Sequence, residues 1–368
     1  MFISRLRLYQ FRNLVDQDIH LQNGAVFVTG NNGNGKTNLV EALYLLSGSK
    51  SFRTNTSGEI IKWGYDSCSI FGAVSSQQGD FELGLIFHPG KREGTVNGNS
   101  VPSFSDFLSK ISVISFTPND LALVKGPPAG RRKFLDRHMV DKNPGYLRSL
   151  VAYQRALASK NAVLKLPTTK PDMLDPWNSI LAEHGEIITR ERLTFLKDIQ
   201  ARSQEKHVKY AGGDGDLTLT LESDLSTGGV DNSGFSREQI EAKLFEVRGK
   251  ELQYRSAQVG SQKDDIEIKM GGVDARAYAS QGQTRSIVLS LKMAVIDSVE
   301  ATLGEPPIVL LDDVDSELDA TRAKNLFLYL LDRPMQLLVT GTAVPAILSD
   351  ISRPFQHLRV SSGIVENS

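Results

Sequence analysis

The stretch Gly30-Asn31-Asn32-Gly33-Asn34-Gly35-Lys36-Thr37 decides the expected fold, because it matches G-x-x-x-x-G-K-[ST] at every position. The apolar run 25–29 before it is typical of a buried strand, and Leu39, Val40 and Leu43 after it are spaced for one face of a helix. Glycines at such a turn let the backbone close around phosphate oxygens, which the amides at the helix start can bind. The pattern predicts a nucleotide site on an α/β fold; an ordinary Gly/Asn turn is the alternative.

Within this P-loop (30–37) two side chains are expected to act directly on the nucleotide. Lys36 would reach the β- and γ-phosphates, and the hydroxyl of Thr37 would ligate Mg²⁺. The predicted nucleotide-binding residues are Gly30, Asn31, Asn32, Gly33, Asn34, Gly35, Lys36, Thr37 and Asn38.

A pair of carboxylates lies far along the chain, where four apolar residues, 308–311, precede Asp312 and Asp313. Such a run predicts a buried strand that ends in two acids. A magnesium site beside a P-loop needs a carboxylate at the end of a neighbouring strand, so Asp312 is expected to hold the ion together with Thr37. Asp313 is expected to orient the attacking water. An Asp pair in a strand-end turn is the alternative.

The separation of these two motifs requires an insertion. Asn143-Pro144 and Asp175-Pro176 each combine a helix N-cap residue with proline at the first helical position, and the second helix could run to Gly212. Shorter β-type runs precede these helices, and strands alternate with helices after them. The sequence therefore predicts a helical arm between two halves of one nucleotide-binding domain with a mainly parallel sheet. The expected segments are 1–122, 123–212 and 213–368.

Charge is unevenly distributed along the chain, although the net charge is −1. Residues 121–210 carry 17 lysines and arginines against nine aspartates and glutamates. Local positive charge favours contact with nucleic acid, whereas a solvated helical face is the bland alternative. Arg131, Arg132 and Lys133 are the leading candidates for contact with a DNA backbone. A role in the fold or at the nucleotide is the alternative for Arg131 and Arg132.

Composition excludes several other classes. The chain has 368 residues, of which 40% are hydrophobic and 23% charged, as in globular proteins. Its one cysteine, Cys68, cannot form an internal disulfide, and its six histidines are scattered singly, so structural zinc is not expected. No apolar run is long enough to cross a membrane, and the start of the chain does not resemble a signal peptide. We expect a cytoplasmic protein without a membrane partner.

Two short motifs complete the set. Ser280-Gln281-Gly282-Gln283 precedes a predicted helix, where a plain N-cap is the default interpretation, and Ser316-Glu317-Leu318-Asp319 follows the carboxylate pair. Together with the P-loop and the Asp pair, this order resembles the ATP-binding cassette superfamily, its SMC group, and most closely the RecF family. The resemblance also rests on the stretches 8–13, 33–42, 116–121 and 131–136.

The resemblance implies an ABC-ATPase head, an α/β fold with a mixed sheet around the P-loop and an inserted α-helical arm. It implies ATP and Mg²⁺ as cofactors, with Lys36 and Asp313 as catalytic residues. It further implies a homodimer that forms on ATP. The residues expected to cap the partner subunit's γ-phosphate are Ser280, Gln281, Gly282 and Gln283, and those expected at the shared interface are Ser316 and Asp319.

For function, the resemblance implies an ATP-dependent DNA-binding protein of recombinational repair. It would act at gaps or junctions, help to load recombinase with RecR and RecO as partners, and be reset by slow ATP hydrolysis. The alternatives are a cassette ATPase coupled to a protein or transporter partner, and an ATP-binding scaffold without turnover.

Three features depart from the pattern of the cassette superfamily or of the RecF family. Asp313 stands where many cassette proteins have glutamate, and no histidine follows the predicted strand 337–340; both departures indicate slow hydrolysis. The RecF pattern Gly-Pro-His-Arg-Asp-Asp appears at 260–265 with three of its six positions changed.

Overall fold

The computed structural model describes residues 1–101, 104–108, 110–212, 215–225, 234–313, 318–345 and 354–368. The β-strands within these residues are β1 (Phe2–Tyr9), β2 (Gln17–His20), β3 (Ala25–Thr29), β4 (Cys68–Ser76), β5 (Gly79–His88), β6 (Lys91–Val96), β7 (Asn99–Ser100), β8 (Val113–Phe116), β9 (Leu217–Glu222), β10 (Asp265–Met270), β11 (Val273–Asp274), β12 (Ile308–Leu311), β13 (Leu337–Gly341), β14 (Phe355–Ser361) and β15 (Ile364–Asn367). The α-helices are α1 (Lys36–Leu46), α2 (Phe104–Leu108), α3 (Ala122–Lys125), α4 (Pro128–Lys142), α5 (Pro144–Leu164), α6 (Asp175–Lys209), α7 (Arg237–Glu246), α8 (Arg248–Tyr254), α9 (Ala275–Tyr278), α10 (Gln281–Leu303) and α11 (Ala320–Leu331). None of the helices in the described ranges has the length and apolar character needed to cross a membrane.

Contacts divide the chain into two compact units. The head unit comprises Met1–Leu121, Lys206–Gly213 and Arg285–Ser368, and the insert unit comprises Ala122–Glu205 and Asp214–Thr284. The expected boundaries put residues 215–284 with the C-terminal half of the head, whereas the described part of 215–284 groups with the helical segment. The physical reason is that β9, β10 and β11 form an antiparallel sheet of their own, and this sheet is tied to α4 of the same unit by an ion pair.

Within the described residues, the head unit contains two six-stranded sheets. One has the strand order β15-β14-β3-β13-β12-β8; its strands run parallel except for the antiparallel edge strand β15. The other, β2-β1-β4-β5-β6-β7, is antiparallel throughout. The mixed α/β head is confirmed. The mainly parallel sheet exists, but many of the early β-type runs form the antiparallel sheet instead, because the short turns between β4, β5 and β6 allow only hairpin pairing.

Helix α1 contacts β4 and β5 of the antiparallel sheet and β8, β12 and β13 of the other one. The predicted apolar stripe is confirmed, since Leu39, Val40, Leu43 and Leu46 are at most 1% exposed and belong to one core with side chains from both sheets. Because α1 is covered from two sides, its polar Glu41 is also fully buried. The helix that follows the P-loop is therefore held rigidly by the core of the head unit.

The insert unit confirms the predicted start of α5. Asn143 caps α5 by accepting a 2.9 Å hydrogen bond from the amide of Gly145. Helix α6 begins at Asp175 and spans 35 residues, about 50 Å at 1.5 Å per residue. Asp175 directly follows a 3-10 helix, Pro171–Leu174, and has helical dihedral angles, φ −59° and ψ −44°, so it is the first residue of the helix and not the predicted N-cap. After the arm, two short helices, α7 and α8, adjoin at Val247.

Candidate nucleotide-binding site

The P-loop connects β3 to α1, as its sequence predicts. Gly35 precedes the helix with φ +115°, and a Cβ there would lie 2.7 Å from Cδ2 of Leu14, so the position requires glycine. The Lys36 ammonium donates hydrogen bonds to the carbonyl oxygens of Gly30 at 2.6 Å and Asn31 at 3.2 Å. The loop backbone thus surrounds a lysine that is only 7% exposed.

The second predicted motif meets the first at the carboxyl ends of the parallel strands. Thr37 Oγ1 donates to Asp312 Oδ1 at 3.0 Å, and Thr340 Oγ1 at the end of β13 donates to the same oxygen at 2.8 Å. Burial raises the pKa of Asp312, and the nearby charge of Asp313 acts in the same direction. A hydroxyl and a buried carboxylate oxygen are ligands that Mg²⁺ prefers, so the donor set of Thr37 and Asp312 fits this ion.

Magnesium at such a place takes further oxygens from phosphate and water, so a protein cage is not required. Consistent with this, the described part of the chain has no cluster of three or more His, Cys, Asp or Glu side chains able to hold a metal ion.

Asp313 has a left-handed backbone, with φ 53°, and its amide donates a 3.0 Å hydrogen bond to Thr340 Oγ1. Thr340 therefore supports both acids, the side chain of Asp312 and the main chain of Asp313. Sequence reasoning did not identify Thr340, because a threonine at the end of a buried strand carries no signal of its own.

A cavity of about 880 Å³ joins these groups. Its lining includes Lys36, Thr37, Asp312 and Asp313. Ligand pockets are typically about 300–1,000 Å³, so the volume suits a nucleoside triphosphate. The predicted phosphate and metal residues are thus brought to one cavity in the head unit.

The rim of the cavity contains Arg12 and Asn13, which belong to a stretch that carried the resemblance, and Arg53, which no sequence motif indicated. Arg12 donates to both carboxylate oxygens of the buried Glu41, at 3.0 and 2.8 Å, and Asn13 Nδ2 donates to the carbonyl of Gly33 at 3.1 Å. Arg53 also lines the cavity and lies 3.7 Å from a Glu41 oxygen. These contacts connect the segment after β1 to the P-loop.

The motif 280–283 begins α10 as a capping box. Ser280 Oγ accepts from the Gln283 amide at 3.2 Å, while Gln283 Oε1 accepts from the Ser280 amide at 2.8 Å. The side chains of Ser280, Gln281 and Gln283 are exposed. The local geometry is therefore an N-cap whose outer face is accessible, and a role opposite a partner subunit stays a prediction.

The last predicted motif is only partly visible, because Ser316 lies outside the described residues. Asp319 caps α11 by accepting a 3.0 Å hydrogen bond from the Arg322 amide. That hydrogen bond holds the pKa of Asp319 below its usual value.

Among the basic candidates, the structure contradicts a DNA-contacting role for Arg131. Its guanidinium is 2% exposed and binds both oxygens of Asp265 at 2.6 and 2.8 Å. It also donates to the carbonyl oxygens of Leu123, Val124 and Gly126. Arg132 is half-buried and donates to the carbonyl of Asp264 at 2.7 Å. Lys133 is exposed. The alternative that Arg131 and Arg132 serve the fold is the one the geometry favours.

The segment 260–265 has a structural role in the same unit. Asp264 is fully buried and accepts a 2.7 Å bond from Arg192, which also binds Asp136 and the carbonyl of Ser261. Burial raises the pKa of Asp264. The two acids retained from the family pattern, Asp264 and Asp265, thus each hold a buried arginine.

Comparison with known proteins shows which family this sequence resembles. A family model described as RecF/RecN/SMC N terminal domain matches residues 2–357. The DNA replication and repair protein RecF of Bacillus subtilis (strain 168) is 34% identical over 367 residues, which covers 99% of each chain. The protein of the same name from Halalkalibacterium halodurans is 35% identical over 350 residues, or 94% of each chain.

Solved structures agree. A structure of the recombination mediator protein RecF-ATP in the RecFOR pathway superposes with a TM-score of 0.91 at 29% sequence identity. The superposition covers 100% of this chain and 97% of that one. An Smc head bound to the C-terminal winged-helix domain of ScpA superposes with a TM-score of 0.58 at 15% identity, covering 100% and 97%. The latter likeness concerns the fold alone.

The fold and the site define a P-loop head of the ABC-ATPase type with an inserted unit. Within that class, the chain belongs to the RecF family.

Proposed function

We propose that this chain is a Mg²⁺-dependent ATPase of recombinational repair that binds DNA at gaps or junctions while it holds ATP. The observation that carries the proposal is the meeting of Lys36, Thr37 and Asp312 around one cavity of nucleotide size. The name of the curated relatives, DNA replication and repair protein RecF, and the ATP named with a solved relative support it.

In the proposed reaction the P-loop amides and Lys36 bind the phosphates and stabilise the charge that develops during transfer. Thr37 and Asp312 would hold Mg²⁺, which neutralises phosphate charge when it is bound. Asp313 would orient the attacking water. Its side chain is one methylene shorter than that of glutamate, so its carboxylate would lie farther from the attacking water. This is consistent with slow hydrolysis that acts as a timer.

Dimer formation on ATP is the second part of the proposal. The accessible N-terminus of α10, with Ser280, would cap the γ-phosphate bound to a partner subunit. Because each γ-phosphate would contact both subunits, ATP would favour the dimer and hydrolysis would release it. Asp319, at an exposed helix start, would lie near the same interface.

The dimer is tested by sedimentation with and without Mg-ATP. Ser280→Arg is expected to abolish the ATP-dependent dimer while ATP binding by the monomer survives. The matched control is Ser236→Arg, because Ser236 forms the same capping box with Gln239 at the start of α7, with bonds of 3.3 and 2.8 Å. Lys36→Arg, whose guanidinium does not fit between phosphates, serves as the blank for phosphate release.

If the Ser280→Arg protein forms the ATP-dependent dimer as well as the Ser236→Arg protein does, the capping role of Ser280 is contradicted. Loss of the dimer in both would show that damage to a helix start is sufficient.

DNA binding is tested on the pair Lys133 and Arg131. Lys133→Ala is expected to weaken duplex binding at every sequence and to lower the slope of log affinity against log salt by about 1, because one phosphate contact is lost. The melting temperature (Tm) should not change. Arg131→Ala is expected to lower Tm strongly, because it leaves Asp265 without its partner. Fluorescence anisotropy over a salt series and thermal unfolding measure the two effects.

An unchanged salt slope in the Lys133→Ala protein would remove Lys133 from the DNA surface. ATPase rates that do not respond to duplex DNA at low salt would favour coupling to a protein partner instead.

RecR and RecO are the proposed partners, because solved relatives carry the name of the RecFOR pathway.

A further inference from the structure

Trp63 is the outstanding exposed aromatic residue among the described ones. Its side chain is 97% exposed, although tryptophan is on average one of the more buried residue types. It lines the same cavity as Lys36 and Thr37. Exposure of a large apolar ring to water is unfavourable, and a ligand that covers the ring at the edge of a binding cavity removes that cost.

Backbone hydrogen bonds hold the segment that carries Trp63, so this residue does not belong to a loose loop tip. The amide of Lys62 donates to the carbonyl of Gln10 at 2.8 Å, and the amide of Arg12 donates to the carbonyl of Ile60 at 2.9 Å. The side chains of Ile60 and Ile61 are buried in the core of the head unit.

Side-chain hydrogen bonds connect the same segment to the P-loop. Lys62 Nζ donates to the carbonyl of Leu14 at 3.2 Å, and Asn13, between the paired residues and Leu14, binds the carbonyl of Gly33. The segment with Trp63 and the phosphate-binding loop are therefore both attached to residues 10–14. This holds the backbone of Trp63 at a set position on the rim of the cavity.

We propose that Trp63 stacks on the base of the bound nucleotide, an inference that rests on the proposed nucleotide site. The P-loop supplies contacts for the phosphates at one side of the cavity, and the rest of the cavity must take the ribose and the base. An aromatic face binds a base by stacking and contributes about tenfold or more in affinity, which is about 1.4 kcal/mol per tenfold.

The binding test compares ATP with inorganic tripolyphosphate, which has the phosphate chain but no base. Both are titrated with Mg²⁺ into the full chain by calorimetry. Trp63→Ala is expected to raise the Kd of ATP about tenfold, Trp63→Phe to raise it much less, and neither to change the Kd of tripolyphosphate. An unchanged Kd of ATP, or an equal loss for both ligands, would overturn the stacking role.

A spectroscopic test uses the fact that the chain has two tryptophans, Trp63 and Trp177. Trp177 belongs to α6 of the insert unit, so Trp177→Phe leaves Trp63 as the sole reporter. ATP is expected to quench its emission, and tripolyphosphate is not. Quenching by duplex DNA in the absence of nucleotide, with no response to ATP, would overturn the inference in favour of a DNA contact.

The two proposals fail in different ways. If calorimetry detects no ATP binding to the unmodified chain, the nucleotide site itself is wrong. If ATP binds to the unmodified chain and to the Trp63→Ala protein with the same Kd, only the stacking inference is wrong.

Discussion

At the scale of single residues, Asp297 shows how the head unit uses charge for stability. Its carboxylate pairs with Lys206 at 2.8 Å and Arg333 at 2.7 Å, and accepts a 2.6 Å hydrogen bond from the Tyr329 hydroxyl. Burial alone would raise the pKa of Asp297, but the hydrogen bonds from Lys206 and Tyr329 and the charge of Arg333 outweigh it and hold the pKa below its usual value.

A depressed pKa predicts the direction of the pH dependence. Because the unfolded chain binds this proton more tightly than the folded one, the stability due to Asp297 is present above the unfolded pKa, about 3.9. That stability is lost as pH falls through the lower folded pKa. Asp297→Asn is therefore expected to lower Tm at pH 7 by several degrees, and the difference from the parent should shrink below about pH 4.

Thermal unfolding across pH measures this effect, and Asp80→Asn is the control, because Asp80 is an exposed aspartate of β5. A difference between the Asp297→Asn and parent proteins that grows toward low pH would contradict the assigned sign.

The residue scale also shows where motif reasoning ended. Lys36, Thr37 and Asp312 were predicted together, because phosphate and magnesium chemistry requires those residue types at those places. Thr340 and Glu41 were not predicted. Thr340 acts through Asp312 and Asp313 at the end of a strand, and Glu41 acts through Arg12. Such supporting contacts depend on which strands are neighbours.

At the scale of elements, helix α5 begins where its capping residue lies. Asn143→Ala is expected to destabilise the insert unit by about 1 kcal/mol, because the Gly145 amide loses its acceptor. Asn143→Ser, which keeps a capping oxygen, should recover most of that loss. Chemical denaturation of both variants measures the difference; equal stability of the alanine and serine proteins would show that the cap contributes nothing.

Helices with strong start signals were predicted within a few residues, and strand neighbours were not. The α1 bounds agree with the apolar spacing after the P-loop, and α6 ends at Lys209 near the expected glycine stop. A local signal suffices there, because capping acts within one turn. The pairing of β1 with β4, by contrast, joins segments about 65 positions apart, and no local pattern specifies it.

At the scale of the whole molecule, each unit has its own feature through which its stability can be changed separately. The head unit has the cavity beside the P-loop, and the insert unit has the buried group of Arg192, Asp136 and Asp264. A ligand that binds only the folded head should stabilise that unit by mass action, about 2.7 kcal/mol at 100 times its Kd.

Differential scanning calorimetry tests whether the units respond separately. Mg-ATP is expected to raise the transition of the head unit and to leave the other in place. Arg192→Met is expected to lower the transition of the insert unit, because it leaves the buried Asp264 unpaired, a loss of about 3–5 kcal/mol. One transition moved equally by ATP and by Arg192→Met would show that the two units unfold together.

The sequence by itself determined the P-loop motif, the α/β class and the starts of the long helices, because each depends on residue types at short, fixed spacings. Only the tertiary structure decided that residues 215–284 belong with the helical segment, that Arg131 is a buried ion-pair partner of Asp265, and that Trp63 lies at the nucleotide cavity. These facts depend on contacts between segments far apart in the chain. Burial and pairing, which the residue type alone does not specify, determine whether an arginine meets solvent or a carboxylate.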